Sequence, residues 1–147
     1  MAILTDLEDV RQALLHSHRI AILGASTTPS RAGFYVPEYM QTQGYEVFPV
    51  NPAKLGEQIW GVPVVSTLGE LPVAVDTVNV YRRPEFLPGH TDEILAMTPL
   101  PSLVFFQLSV FDQASAERLA AAGIDVIQDR CMYADHRRLG IPPRSAP

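Results

Sequence analysis

The segment Gly24-Ala25-Ser26-Thr27-Thr28-Pro29-Ser30-Arg31 carries residue types suited to holding an anion. It follows the apolar run Arg19-Ile20-Ala21-Ile22-Leu23 and precedes a stretch with helical periodicity, so it lies where a strand passes into a helix. At such a junction the backbone N–H groups and the helix dipole favour a negative group, and a phosphate fits. Gly24 lets the backbone approach a ligand, Ser26 and Ser30 add hydroxyl donors, and Arg31 supplies charge. The same residues also suit an ordinary tight turn with Ser30 as helix cap and Arg31 in solvent, because the Gly-x-Gly-x-x-Gly spacing is absent.

A second group lies at Phe48-Pro49-Val50-Asn51-Pro52-Ala53-Lys54. Dinucleotide enzymes often place an acidic residue at the end of this strand to bind ribose hydroxyls, and here there is none. Asn51 and the cationic Lys54 suit a ribose bearing a 3′-phosphate, although Asn-Pro is also a common turn. Ser109 and Cys131 are candidate nucleophiles for the alternative function of a hydrolase or acyl-transfer catalyst. Ser109 follows a strand and precedes a helix, as in a nucleophile elbow, but the flanking glycines are missing. Cys131 ends the last strand beside Arg130, where a thiol could exchange with a ligand disulfide; a buried, inert thiol is the other reading. His16, His18, His90 and His136 belong to no recognisable catalytic motif.

The elements that must position these residues alternate. Thr5 and Glu8 form a capping-box pattern for a helix over Asp6–His16. Strand Arg19–Leu23 leads through the Gly24 loop to a helix over Arg31–Gln43, closed by Gly44, in which Pro37 implies a late start or a kink. Strand Tyr45–Val50 ends at Asn51-Pro52, and Lys54–Pro72 reads as irregular chain with a short strand near Val62–Val65. Strands at Val73–Tyr81, Ser102–Gln107 and Ile124–Gln128 then alternate with helices at Thr91–Met97 and Gln113–Ala122, the latter capped by Asp112 and ended by Gly123. A final helical turn or two covers Tyr133–Arg138, and the tail over 140–147 reads as flexible, Pro-rich and loosely held from Ile141. Five strands with continuous apolar runs predict an α/β, doubly wound, Rossmann-like parallel sheet with helices on both faces, in one domain over 1–147 that opens with a helix within 1–18.

Composition narrows the partners. A chain of 147 residues with 47% hydrophobic residues can bury one substantial core, and no stretch is long and apolar enough to predict a membrane span. The net charge of −5 argues against general nucleic-acid binding but leaves room for a local anion pocket. Lys54 is the sole lysine among the 11 basic residues, so arginine, suited to bidentate phosphate contacts, dominates. One cysteine and no signal-peptide pattern point to the cytoplasm.

Read in order, Leu23-Gly24-Ala25-Ser26, Pro29-Ser30-Arg31, Gly44-Tyr45, Pro49-Val50-Asn51-Pro52, Val75-Asp76, Tyr81-Arg82-Arg83-Pro84, Gln107 and Asp129-Arg130-Cys131 form a specific set. From about Ile20 to Leu139 the chain resembles the small CoA-binding proteins that look like the N-terminal domain of the succinyl-CoA synthetase α subunit. The resemblance implies coenzyme A or an acyl-CoA with phosphates at Gly24, Ala25, Ser26 and Arg31. It implies adenosine near Pro49, Asn51 and Pro52, and Tyr81, Arg82 and Pro84 along the pyrophosphate or pantetheine arm, with Gln107 a further carrier of the site. The synthetase's phosphorylated histidine comes from another domain, so a binding module rather than a complete ligase is expected. The sequence leaves the Trp-x-Gln-x-Gly pattern at Phe105-Phe106-Gln107-Leu108-Ser109-Val110-Phe111. Apolar Val110 and Phe111 in a loop suggest a lid, or a homodimer or partner surface through 105–111.

Overall fold

The computed structural model describes residues 2–144. Helix α1 (Leu7–His16) leads into strand β1 (Arg19–Leu23), followed by α2 (Ala32–Thr42) and β2 (Glu46–Val50). A small antiparallel pair, β3 (Gln58–Ile59) and β4 (Val62–Pro63), interrupts the alternation before β5 (Thr77–Val80) and α3 (Leu87–Leu95). The chain continues through β6 (Leu103–Gln107), α4 (Gln113–Ala121), β7 (Asp125–Arg130) and α5 (Met132–Arg138). The main sheet is wholly parallel, in the order β2-β1-β5-β6-β7. This is the expected five-stranded α/β sheet. No helix among the described residues is long and apolar enough to cross a membrane.

Both faces of the sheet are covered because successive side chains alternate between two apolar cores. Ile20, Ile22, Phe105 and Ile127 pack with α1, α2 and α5, through residues such as Leu14, Val36 and Met132. Ala21, Leu23, Val78, Val80, Val104 and Phe106 pack with α3 and α4 on the other side, through Ile94 and Leu119. Each edge strand carries one isolated bridge to another part of the chain. Beside β2, Val65 donates its N–H to the Pro49 carbonyl and accepts from Asn51 N–H. Beside β7, Ala2 and Leu4 exchange bonds with Val126 around an Ile3 bridge.

Local chemistry moved several boundaries. The cap of α1 is Asp6, whose carboxylate accepts the Glu8 N–H at 2.8 Å, rather than Thr5; an anion also suits the helix dipole. Helix α2 begins ahead of Pro37, so it does not start late, and Arg31 rather than Ser30 is its N-cap. Strand β5 is shorter than Val73–Tyr81, because the Asp76 carboxylate turns to accept the N–H groups of His18 and Arg19 at the start of β1. Helix α3 starts at Leu87, earlier than Thr91, with Pro88 in its first turn, where no N–H is needed.

The segment before residue 145 is seated rather than loose. Ile141 is buried in the α1/α2/α5 core. The Arg144 guanidinium lies 4.5 Å over the Tyr45 ring and donates to the Leu14 carbonyl at 2.9 Å. Ser145 to Pro147 lie outside the described residues. Beneath Arg144, His136 is 1% exposed, with Nδ1 2.8 Å from the Tyr39 hydroxyl and no partner for Nε2 among the described residues. Burial, and then the Arg144 cation, hold the His136 imidazole below its ordinary range.

The unfolded chain therefore takes up a proton at this position more readily than the folded one. His136 contributes full stability above its unfolded value near pH ~6.5, and that contribution declines as pH falls below it. Scanning calorimetry between about pH 7.5 and 5.5 is expected to show a falling Tm in the wild type and a shallower fall in His136→Gln. Equal slopes would refute this.

Candidate functional site

The winding reverses between β1 and β5, so the loops leaving their carboxyl ends diverge and open a crevice. The cleft there encloses about 820 Å³, within the roughly 300–1,000 Å³ typical of small-molecule sites. Its walls come from the ends of β1 (Gly24, Ala25, Ser26), β2 (Asn51, Lys54) and β5 (Tyr81, Arg82, Arg83), with the start of α2.

The β1 loop is fixed from three sides. Gly24 sits at φ +88° and donates to the Val50 carbonyl at 2.9 Å. A β-carbon on it would stand 2.5 Å from the Tyr81 carbonyl oxygen, so only glycine lets the β1 and β5 exits approach this closely. Pro37 fixes the second side. It lacks an N–H and so leaves the Gly33 carbonyl, four residues earlier, without its helical donor. The Ser26 N–H takes that place at 3.2 Å. On the third side, Asn51 donates from Nδ2 to the Ala25 carbonyl at 2.8 Å and accepts the Ala53 N–H at Oδ1. Asn51 is thus a brace, with its amide turned toward the loop rather than free for a ribose.

Several donors remain open. Ala25, Ala32 and Gly33 line the cleft, and their N–H groups have no acceptor among the described residues. Those of Ala32 and Gly33 belong to the first turn of α2, whose N-cap Arg31 makes no side-chain cap bond. Arg31, Lys54, Arg82 and Arg83 line the same cleft, and no carboxylate does. None of the four forms an ion pair among the described residues. Arg82 alone has a polar side-chain partner, His90, and its guanidinium lies 4.8 Å over the Phe86 ring. Burial pushes the Tyr81 hydroxyl well above the usual phenol range, which keeps it a neutral O–H.

The family model for a CoA binding domain matches residues 18–137, which contain every wall of this cleft. The chain belongs to the CoA-binding domain family. The uncharacterised protein YneT of Bacillus subtilis (strain 168) is 37% identical over 128 residues, 87% of this chain and 92% of that protein. A solved structure from Thermus thermophilus superposes with a TM-score of 0.86 at 39% identity, covering 92% of this chain and 99% of the other. A dinucleotide-forming acetyl-coenzyme A synthetase of Ca. Korarchaeum cryptofilum shares the fold, with a TM-score of 0.63 at 20% identity, over 82% of this chain and 27% of that longer one.

Within this CoA-binding domain, the structure brings together Gly24, Ala25, Ser26, Arg31, Asn51, Lys54, Tyr81 and Arg82. Four residues named from the sequence do not line the cleft. Pro49 is buried within β2, Pro52 and Pro84 each open a single 3-10 turn, and Gln107 is buried at the end of β6, one strand beyond β5. Sequence reasoning passed over Gly33, whose β-carbon would stand 3.2 Å from the Gly24 carbonyl, and over Arg83 and Phe86 as lining residues. A glycine in the first turn of a helix was the available signal for the first. Cys131 is partly buried beyond the end of β7, outside the cleft lining. Ser109 is exposed at φ +71°, and its N–H donates to the Asp129 carboxylate at 2.6 Å. Its hydroxyl has no hydrogen-bond partner among the described residues. Val110, expected on the surface, is 7% exposed, because its N–H turns back to the Gln107 carbonyl and its side chain joins the α3/α4 core. Leu108 and Phe111 point outward.

Two glycines separate conformational strain from close contact. Gly56 has nearly the same conformation as Gly24, at φ +92°, but a β-carbon added to it would meet nothing within 4 Å. Gly56→Ala is expected to cost about 1–2 kcal/mol. Gly24→Ala adds the overpacking against the Tyr81 carbonyl, about 1–3 kcal/mol more. Urea unfolding of both variants measures the difference, and equal losses would contradict the contact.

Proposed function

We propose that this chain binds coenzyme A or an acyl-CoA in the β1/β2/β5 cleft and serves as a binding module without catalysis of its own. The observation that carries the reading is four cations that form no ion pair among the described residues, around a cleft lined by no carboxylate, in a chain of net charge −5. Cations left without a carboxylate in an acidic protein suit a polyanion, and coenzyme A carries three phosphoryl groups. The open N–H groups of Ala25, Ala32 and Gly33, with Arg31 and Arg82, would hold the pyrophosphate. Lys54, past the end of β2, would hold the ribose 3′-phosphate. Coenzyme A supplies a thiol that carries acyl groups; the chain's own residues bind and orient it. Asn51, standing where a nicotinamide dinucleotide site often has an acid, favours CoA over NAD. A single cysteine, which excludes an internal disulfide, suits a reducing cytoplasm.

Isothermal titration calorimetry with CoA, dephospho-CoA and NAD tests this. CoA is expected to bind more tightly than either of the others. Lys54→Ala is expected to weaken CoA by about 1.5–3 kcal/mol, roughly ten- to a hundredfold, and to leave dephospho-CoA unchanged. No heat with CoA at millimolar ligand would overturn the reading.

A further inference from the structure

Arg82 is held by a short relay of side chains that leads away from the cleft. Its Nε–H donates to His90 Nε2 at 3.2 Å. His90 Nδ1 lies 3.2 Å from Glu93 Oε1, and Glu93 Oε2 accepts the Leu68 N–H at 2.7 Å. His90 and Glu93 stand three residues apart on α3, on one face of the helix, with side chains 22% and 27% exposed.

The chemistry of the relay sets the protonation of its members. An arginine Nε can only donate, so His90 Nε2 must present its lone pair. The imidazole proton then resides on Nδ1 and is donated to Glu93. The His90 hydrogen bond, helped by the Leu68 N–H, keeps the Glu93 carboxyl below its ordinary range, so the acceptor at the end of the relay is ionised. Arg82 is thereby fixed twice, through Nε–H on His90 and through its face on Phe86. Its two Nη groups have no partner among the described residues, and Arg82 itself lines the cleft.

We infer that His90 is a positioning residue, whose neutral imidazole holds Arg82 end-on as a phosphate seat without neutralising it. The inference rests on the CoA reading of the cleft for the identity of the phosphate. A carboxylate placed directly on Arg82 would also fix the side chain, but it would pair the charge and compete with the ligand. The imidazole spacer passes on the orienting effect of Glu93 and leaves the guanidinium charge for the cleft.

Two measurements test this. In 15N spectra of the ligand-free protein at neutral pH, His90 is expected as the Nδ1–H tautomer; an Nε2–H tautomer or a doubly protonated ring overturns the relay whatever binds. In titrations with CoA, His90→Leu is expected to weaken binding about tenfold. His90→Gln keeps both an acceptor and a donor and should stay within about threefold of wild type. In an Arg82→Ala background, His90→Leu should change nothing further. Wild-type affinity in His90→Leu, or a full loss that persists without Arg82, overturns the inference. A wild-type chain that ignores CoA removes the proposed function and with it the phosphate seat, while the tautomer still decides the relay.

Discussion

The approach of Gly24 to the Tyr81 carbonyl is the contact on which the rest of the site depends. It draws the exits of two adjacent parallel strands together at the point where the sheet reverses its winding. Once the exits meet, the chain after Gly24 must run across the top of β1, and Gly33 is needed for α2 to come down against it. Pro37 then contributes by subtraction. The carbonyl it leaves without a helical donor receives the Ser26 N–H, so loop and helix are joined by a bond that an unbroken helix would have kept to itself. Backbone placement, rather than any one side chain, shapes the cleft.

Charge follows from that placement. The first turn of α2 opens onto the cleft without a capping side chain, and its amides add partial positive charge to that of Arg31, Lys54, Arg82 and Arg83. Elsewhere several basic side chains meet acids, as Arg19 meets Glu46, Arg118 meets Asp92 and Arg130 meets the buried Asp135. The cleft has no such compensation: no carboxylate lines it, and its four cations form no ion pair among the described residues.

Much of this is legible in the order of the residues. The continuous apolar runs mark the strands of the main sheet, and the loop from Gly24 to Arg31 is recognisable because glycine and small polar residues at a strand-to-helix junction have a direct physical meaning. What stays hidden depends on distance in space. Asn51 reads as a ribose neighbour in sequence and becomes a brace only when Ala25 is known to lie beside it. Val110 reads as a surface apolar residue, but its backbone turn to Gln107 carries it inward. Gln107 ends β6 and Cys131 directly follows β7, and only the strand order shows that they stand beyond the wall of the cleft. The partnership of Arg82 with His90 spans eight residues and depends on where α3 begins, a boundary that Pro88 obscured.

The covered margins of the sheet bear on how copies of this chain can meet. A parallel sheet with bare outer strands offers rows of unpaired N–H and C=O groups to any passing strand. Here Val65 occupies the outer side of β2, where Pro49 has no N–H to offer, and the segment around Ile3 occupies the outer side of β7. Pairing a strand from another molecule alongside Pro49 or Val126 would first require stripping one of these pieces away. At these two positions, pairing with a strand of another molecule is therefore opposed by the chain's own extended segments.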